Sequence, residues 1–439
     1  MGRFKSVLLG CTSIGVLLVT TAAATAGGFA LREQSAHGQG ASFAGIAAGG
    51  ALSSMYWNPA TMTQFNGKTV EQVATGIAPK ASHSFTTATF AALGNAPSDS
   101  DIDAVVPAGY GSWQINDRLW VGASINAPFG LAVNFPQRWA GAQYGQSSKV
   151  ESYNFSPSLA YKINDWVSVA IGLQVQYMKV SYDAFVATAP LIAAINGAGW
   201  GYGWTAGVTL TPTPTTTIGI GYRSAIDQDI NGSLDVPAGV GGSTRGSVNT
   251  SINLPDTLTI GLRQRLGDRF TLLAGYEWSN WSRIGAASVN QPNGAVATIG
   301  TVPVILPFNY SDGHFYSLGG EYNLNQALTL RAGIAYEKSP VTDNVRTPRL
   351  PDNDRMWYSV GASYKPSQFK GVTLDAGYSF IQVKDTPICL GLASGCPANP
   401  WSGATTYIGS VDAHVHILSV GLRYQWDNEP VRVKQAYLK

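Results

Sequence analysis

Charge is what this 439-residue chain has least of. Lys, Arg, Asp and Glu together make up 12 % of it, about half the ~25 % usual in a soluble domain. The 28 basic and 26 acidic residues leave a formal net charge of +2 and form no basic cluster, which argues against nucleic acid as a partner. Cysteine is nearly absent, with three residues. Beyond residue 26 there is no further apolar run long enough to span a membrane as a helix.

Against these shortages stand 50 Gly, 20 Tyr and 12 Trp, with a mean hydropathy of +0.02. A chain poor in charge, rich in glycine and aromatics, and without spanning helices fits a membrane β-barrel. The outer wall of a barrel faces lipid and cannot carry charge, small residues fit the lumen, and aromatics gather at the interfaces.

The first 26 residues read as a signal peptide. Arg3 and Lys5 give a basic start, Val7 to Thr20 is apolar apart from small residues, and Ala24-Thr25-Ala26 supplies a small-residue cleavage site. Cleavage there makes Gly27 the mature N-terminus and leaves Cys389 and Cys396 as the remaining cysteines. In an exported protein this pair, in a Gly/Pro-rich stretch, is expected to form one disulfide closing a surface loop.

Alternation with a period of two dominates the rest. Val167, Val169, Ile171, Leu173, Val175 and Tyr177 share one face, while Ser168, Ala170, Gly172, Gln174 and Gln176 share the other. Leu418, Val420, Leu422, Tyr424 and Trp426 alternate in the same way with Ser419, Gly421, Arg423 and Gln425. Such runs predict strands near 68–86, 104–116, 118–130, 149–163, 165–181, 200–212, 215–230, 248–266, 268–283, 312–323, 327–338, 355–365, 371–384 and 411–426. Tight-turn signals such as Asn116-Asp117, Asn164-Asp165 and Gly267-Asp268 alternate with long loops near 87–103, 131–148, 182–199, 231–247, 284–311, 339–354 and 385–410. The fold class is therefore all-β: a transmembrane antiparallel barrel of about 14 strands over residues 67–426, with short periplasmic turns and long extracellular loops. Residues 427–439 form a periplasmic tail. A soluble sandwich would need polar outer faces, which these strands lack.

Residues 27–66 break the pattern. Poor in charge and rich in Ala and Gly, they read as a plug, or hatch, inside the lumen rather than as a disordered leader. Gly28-Phe29-Ala30-Leu31, Gly38 with Gly40, and Asn58-Pro59-Ala60 before the first strand resemble the FadL-type outer-membrane transporters of long-chain fatty acids and aromatic hydrocarbons. The resemblance spans nearly all of the mature chain. It implies that Gly28, Phe29, Leu31, Asn58, Pro59 and Ala60 belong to a hatch and gate, and that hydrophobic ligands enter from outside and leave sideways at an inward kink of the third strand. Pro128-Phe129-Gly130 stands at the corresponding place. Proline cannot donate to a ladder, so these residues either kink the strand or start an extracellular loop. Phe185, Val186, Leu191, Ile192, Ile195 and Trp200 of the third external loop form an apolar patch, which the resemblance makes a ligand-capture groove. Val302 to Phe308 of the fifth loop would shape the same entrance.

Phase places Arg223, Arg263, Arg265, Glu277, Glu321, Arg331, Glu337, Arg355 and Arg423 on the lumenal face. Most are expected to pair with one another or to fasten the plug; Arg223 and Arg331, nearest mid-height, are candidates to receive a fatty-acid carboxylate. No Gly-x-Ser-x-Gly elbow is present, and His414 and His416 read as solvated rim residues rather than a metal pair. The expected protein is a monomeric uptake channel of the Gram-negative outer membrane. It would contact outer-membrane lipids and carry hydrophobic small molecules, long-chain fatty acids first as the resemblance implies, with no cofactor, metal or catalysis; the other readings are an aromatic hydrocarbon channel of the same family and a general diffusion porin.

Overall fold

A computed structural model of the chain describes residues 27–94, 103–135, 139–186, 191–238, 240–391, 396 and 405–426. The expected signal peptide and C-terminal tail lie outside these residues, as do the side chains of Phe185, Val186 and Leu191.

Fourteen antiparallel strands close into one barrel. In chain order they are β1 (Lys68–Ala88), β2 (Ala104–Asn116), β3 (Leu119–Asn126, resuming as Gly130–Val133), β4 (Ser148–Lys162), β5 (Val167–Val186) and β6 (Leu191–Thr213). Then come β7 (Thr216–Arg223 and Ile226–Asp235), β8 (Gly246–Leu254 and Thr257–Leu266), β9 (Phe270–Ser279) and β10 (Gly313–Asn323). The last four are β11 (Leu328–Lys338), β12 (Arg355–Tyr364), β13 (Val372–Val383, resuming as Thr386–Leu390) and β14 (Tyr407–Gln425). Each pairs with its sequence neighbours, and β14 returns to β1 from Thr69↔Gln425 to Ala88↔Tyr407. Closure leaves the wall no edge strand, which a hydrocarbon medium could not hydrate.

The alternation decides which side faces lipid. Ile171, Leu173, Leu318, Val360, Leu418 and Val420 point outward and are exposed, whereas Gln174, Gln176, Ser359 and Ser419 point inward and are buried. Tyr161, Trp166, Tyr322, Tyr364 and Trp426 stand outward at strand ends, where an interfacial aromatic belt belongs.

Two expectations need correcting. The stretch 182–199 is not a long loop: β5 and β6 run on as one hairpin, paired as far as Val186↔Leu191. Its Gly- and Ala-rich inner face does not look like strand, yet small residues are what its neighbour requires, because Asn231 and Ile230 of β7 lie directly against Gly197. The strands expected at 215–230 and 248–266 are also each broken, at Ser224-Ala225 and Pro255-Asp256. Pro255 lacks the N–H a continuous ladder would need.

The hatch fills the lumen. It consists of α1 (Ala36–Gln39) and three 3-10 turns, Ile46–Ala48, Leu52–Tyr56 and Pro59–Gln64. Helix α1 lies against β12, β13 and β14; Ile46–Ala48 against β7 and β8; Leu52–Tyr56 against β1, β2 and β3; Pro59–Gln64 against β4, β5 and β6. Contact around the circumference places the segment inside the ring. Inward glycines make the fit possible. A side chain on Gly221 would overlap the Trp57 carbonyl, one on Gly219 the Ala47 carbonyl, and one on Gly333 the backbone of Ala41.

Charge fastens the same contact. Glu321 Oε2 accepts from Arg263 at 2.5 Å, and its Oε1 accepts from Arg331 Nε at 2.8 Å and lies 3.1 Å from His37 Nε2 of α1. Asp375 faces both His37 at 3.7 Å and Arg331 at 3.5 Å. On the other side Glu71 Oε2 accepts from the backbone of Leu52 at 2.8 Å and Ser53 at 3.2 Å.

Two substitutions test this packing by denaturant unfolding in detergent micelles. Gly221→Val is expected to cost about 1–3 kcal/mol through overpacking; unchanged stability would show that the hatch does not press on β7. Glu321→Gln removes the carboxylate shared by the buried Arg331 and the half-buried Arg263 and is expected to cost about 3–5 kcal/mol. A loss of about 1 kcal/mol or less, as for a solvated pair, would contradict the described network.

Candidate functional site

The third strand is where the wall departs from regularity. β3 and β4 are in register to Asn126↔Asn154 and resume at Gly130↔Glu151. Residues 127–129 on one strand therefore face only 152–153 on the other, which is a bulge. On the opposite side the β2–β3 ladder stops at Gly109↔Ile125, although β2 stays paired with β1 as far as Ala104↔Ile77. Residues 104–108 of β2 thus have no ladder partner on the β3 side. Pro128 falls in the bulge, where its missing N–H breaks nothing. Of the two readings of Pro128-Phe129-Gly130, the geometry is that of an interrupted strand, since pairing with β4 returns afterwards.

The start of the hatch takes up the hydrogen-bonding groups this interruption frees. Leu31 N donates to the Pro128 carbonyl at 2.8 Å, Gly130 N donates to the Phe29 carbonyl at 2.9 Å, and Ala30 bridges Phe129. Gln34 Nε2 donates to the Ala127 carbonyl at 2.9 Å, and Tyr110 Oη donates to the Gln34 carbonyl at 2.6 Å. Phe29 is buried among Trp281, Phe129 and Phe308, with ring centroids 4.9, 5.9 and 6.3 Å away. Gly28 has φ +67°, and a β-carbon there would stand 3.0 Å from the Trp281 ring, so only glycine brings Phe29 to this place.

Asn58-Pro59-Ala60 secures the other end of the hatch. Asn58 caps the Pro59–Gln64 turn by accepting from Ala60 N at 3.0 Å. Its Nδ2 donates to the Ala47 carbonyl at 2.8 Å and to the Val208 carbonyl of β6 at 2.9 Å. Pro59 occupies the first helical position, where no N–H is needed. One side chain thereby ties two parts of the hatch to the wall.

Phe29 lines the outer of two cavities, and its neighbours Ala30 and Leu31 line the inner one. The outer one is lined mainly by Leu131, Val150, Met178, Ile195, Ile252 and Phe308; a mostly apolar lining with a few polar groups is usual for small-ligand sites. Leu306 and Phe308 of the fifth loop contribute to it. The inner one, beside Pro128 and Phe129, carries Gln174, Gln176, Arg223, Glu277 and Glu337.

Of the capture residues read from the sequence, Ile195 lines the outer cavity. Ile192 and Trp200 do not, and this is a correction. Strand alternation puts both on the opposite face from Ile195, and Trp200 is 55 % exposed on the outer wall with its ring against Tyr177. Arg331 is also corrected as a carboxylate receptor, because Glu321 and Asp375 already neutralise it. Arg32 of the hatch meets Glu277 at 2.9 Å and Glu337 at 3.8 Å. Arg223 donates to the Tyr56 carbonyl at 3.1 Å and to Gln174, and lies over the Tyr56 ring with no carboxylate among its contacts. Cys389 and Cys396 are joined by a disulfide.

Sequence reasoning missed Arg349. It sits in the loop between β11 and β12, where no strand phase indicates direction. In the structure it lines the apolar outer cavity, its guanidinium 3.8 Å from the centre of the Tyr182 ring. Burial pushes its pKa below the ordinary value, with the negative ends of Tyr182 and Asp183 opposing; an arginine stays charged all the same. One terminal nitrogen donates to the Ser147 carbonyl and Ser148, the other to the Asp183 carbonyl at 2.7 Å, while the buried Nε has no partner.

The same architecture occurs in known proteins. The "Long-chain fatty acid transport protein" of Salmonella typhi is 27 % identical over 418 residues, covering 86 % of this chain and 92 % of that one. A FadL homologue of Pseudomonas aeruginosa superposes with a TM-score of 0.79 at 20 % identity, covering 92 % of this chain and 100 % of the other. The toluene transporter TodX of Pseudomonas putida superposes at 0.66 with 16 % identity, covering 91 % and 99 %. The family model for outer membrane transport proteins of the OMPP1/FadL/TodX type matches residues 16–426, and with the plugged fourteen-strand barrel it establishes that this chain belongs to that outer-membrane family.

Proposed function

We propose that the protein carries long-chain fatty acids inward across the outer membrane, capturing them in the apolar outer cavity and releasing them sideways at the interrupted third strand. The observation that carries this reading is Arg349: a buried guanidinium with an unused Nε–H in an otherwise apolar cavity suits a ligand that is hydrocarbon along its length and anionic at one end. An aromatic hydrocarbon would leave that donor unpaired, so it ranks second. A general porin ranks lower still, since the hatch occupies the lumen.

Passage begins with the acyl chain among Met178, Ile195 and Phe308 and the carboxylate at Arg349. Displacement of Phe29 from between Phe129 and Trp281 joins the two cavities. Arg223, free of acidic partners, then offers the head group a second position beside Pro128. The unpaired flank of β2 at residues 104–108 supports an exit there, because no ladder hydrogen bonds need be broken for the wall to part. Nothing in this route calls for bond-making chemistry, and a single chain suffices for it.

Proteoliposomes holding the purified protein should transfer labelled oleate without admitting sugars. Sugar-driven swelling without oleate transfer would sink the reading. Arg349→Leu should weaken oleate capture roughly ten- to hundredfold, the worth of a hydrogen bond to a charged group, and leave toluene entry unaltered. Equal loss for both solutes would mean that Arg349 only holds the loops together.

A further inference from the structure

Around the start of the hatch the buried charges do not balance. Glu33, Glu277, Glu337 and Asp352 are all buried there. Arg32 serves Glu277 and Glu337, and Arg355 lies 3.7 Å from Glu337 and pairs with Asp352. Arg223 is the third nearby cation, while Arg346 is taken by Asp343. Four carboxyl groups thus face three guanidinium groups, of which Arg223 touches none of them, and Glu33 Oε2 has no hydrogen-bond partner. Low-dielectric surroundings make an uncompensated charge costly.

The missing charge has an obvious position. Gly27 N lies 3.0 Å from Glu337 Oε1, and Gly28 N donates to Asp352 Oδ2 at 2.8 Å. Gly27 is buried, and a β-carbon on it would stand 3.0 Å from Glu337 Oε1 and 3.3 Å from the Pro340 ring. As an amide this nitrogen is neutral. Hydrolysis of the Ala26–Gly27 bond consumes one water, leaves a carboxylate on Ala26, and leaves on Gly27 an amine that takes up a proton.

We propose that Glu337 is the receptor for the Gly27 α-ammonium created by removal of residues 1–26, and that this ion pair completes the buried cluster and latches Phe29 in the gate. The chain is thereby primed by its own processing: an unprocessed N-terminus presents a neutral amide and a continuing chain at a place built for a terminal cation. The consequence for gating rests on the transport reading above, whereas the ion pair does not.

The test labels purified, folded protein at pH 7 with an amine-acylating reagent and maps the sites by mass spectrometry, with exposed Lys80 and Lys338 as internal standards. Pairing with a carboxylate raises the amine pKa, and each unit lowers the reactive free base about tenfold. Gly27 should therefore react at least about tenfold more slowly in the native protein than in Glu337→Gln, with Glu337→Asp in between. If Glu337→Gln fails to fold, one asparagine inserted between Ala26 and Gly27 moves the amine about 3.8 Å along the chain and leaves Glu337 intact. That amine, released from Glu337, should then label faster than the lysines, because the ordinary α-amine pKa of about 7.8 lies below the ~10.4 of lysine. Equal reactivity of the terminus in the native and altered proteins, or a mature chain that starts elsewhere than Gly27, would overturn the proposal. None of these rates depends on which solute crosses, so failure of the fatty-acid reading would leave them unchanged.

Discussion

Every backbone N–H and C=O in the hydrocarbon layer must find a partner within the protein, and the β1–β14 ladder meets that demand for the last open edge. The rest follows from this closure. Because the ring is closed, the inward faces have no other secondary structure to pack on, so the lumen must hold water or protein. Here it holds residues 27–66. Because the ladder is otherwise continuous, the few places where it stops, at residues 127–129 above all, are where the proposed sideways exit needs to break no ladder.

The hatch is held by means that differ along its length. Its middle depends on shape, with bare glycines on β7 and β11 allowing backbone to lie on backbone, and on the His37–Glu321–Asp375 cluster. Its C-terminal end depends on Asn58. Its first residues depend on the interrupted β3, whose freed carbonyl and N–H they occupy, and on the packing of Phe29. The part of the plug next to the gap is therefore held by a different set of interactions, ladder-type hydrogen bonds to β3 and the aromatic packing of Phe29. On the proposed route, an apolar cavity above and a more polar one below would draw a hydrophobic solute in and its head group onward.

Much of this was legible in the sequence. Runs such as 167–178 and 418–426 reveal strands because lipid on one side and a filled lumen on the other impose a strict period of two. Tight turns reveal topology because short periplasmic connections need particular residues. Residues 27–66 stand out by failing that period, and Asn58-Pro59-Ala60 linked them to a family. What stayed hidden depended on partners distant in sequence. Arg331 looked available until Glu321 and Asp375 were placed beside it. The hairpin at 182–199 looked like loop because its inner side is glycine and alanine, chosen by β7. Ile192 and Trp200 looked like a groove because apolar character says nothing about which face it decorates. Arg349 lay in a loop, where no periodicity gives direction.

The central claim is that the N-terminal segment, not the barrel wall, closes the lumen. Planar-bilayer conductance of protein lacking residues 27–40 tests it most directly. The account predicts a stepwise ionic current through the truncated protein under conditions where the full-length protein carries almost none, with the barrel still folded by circular dichroism. Unchanged conductance from a folded, truncated barrel would contradict it.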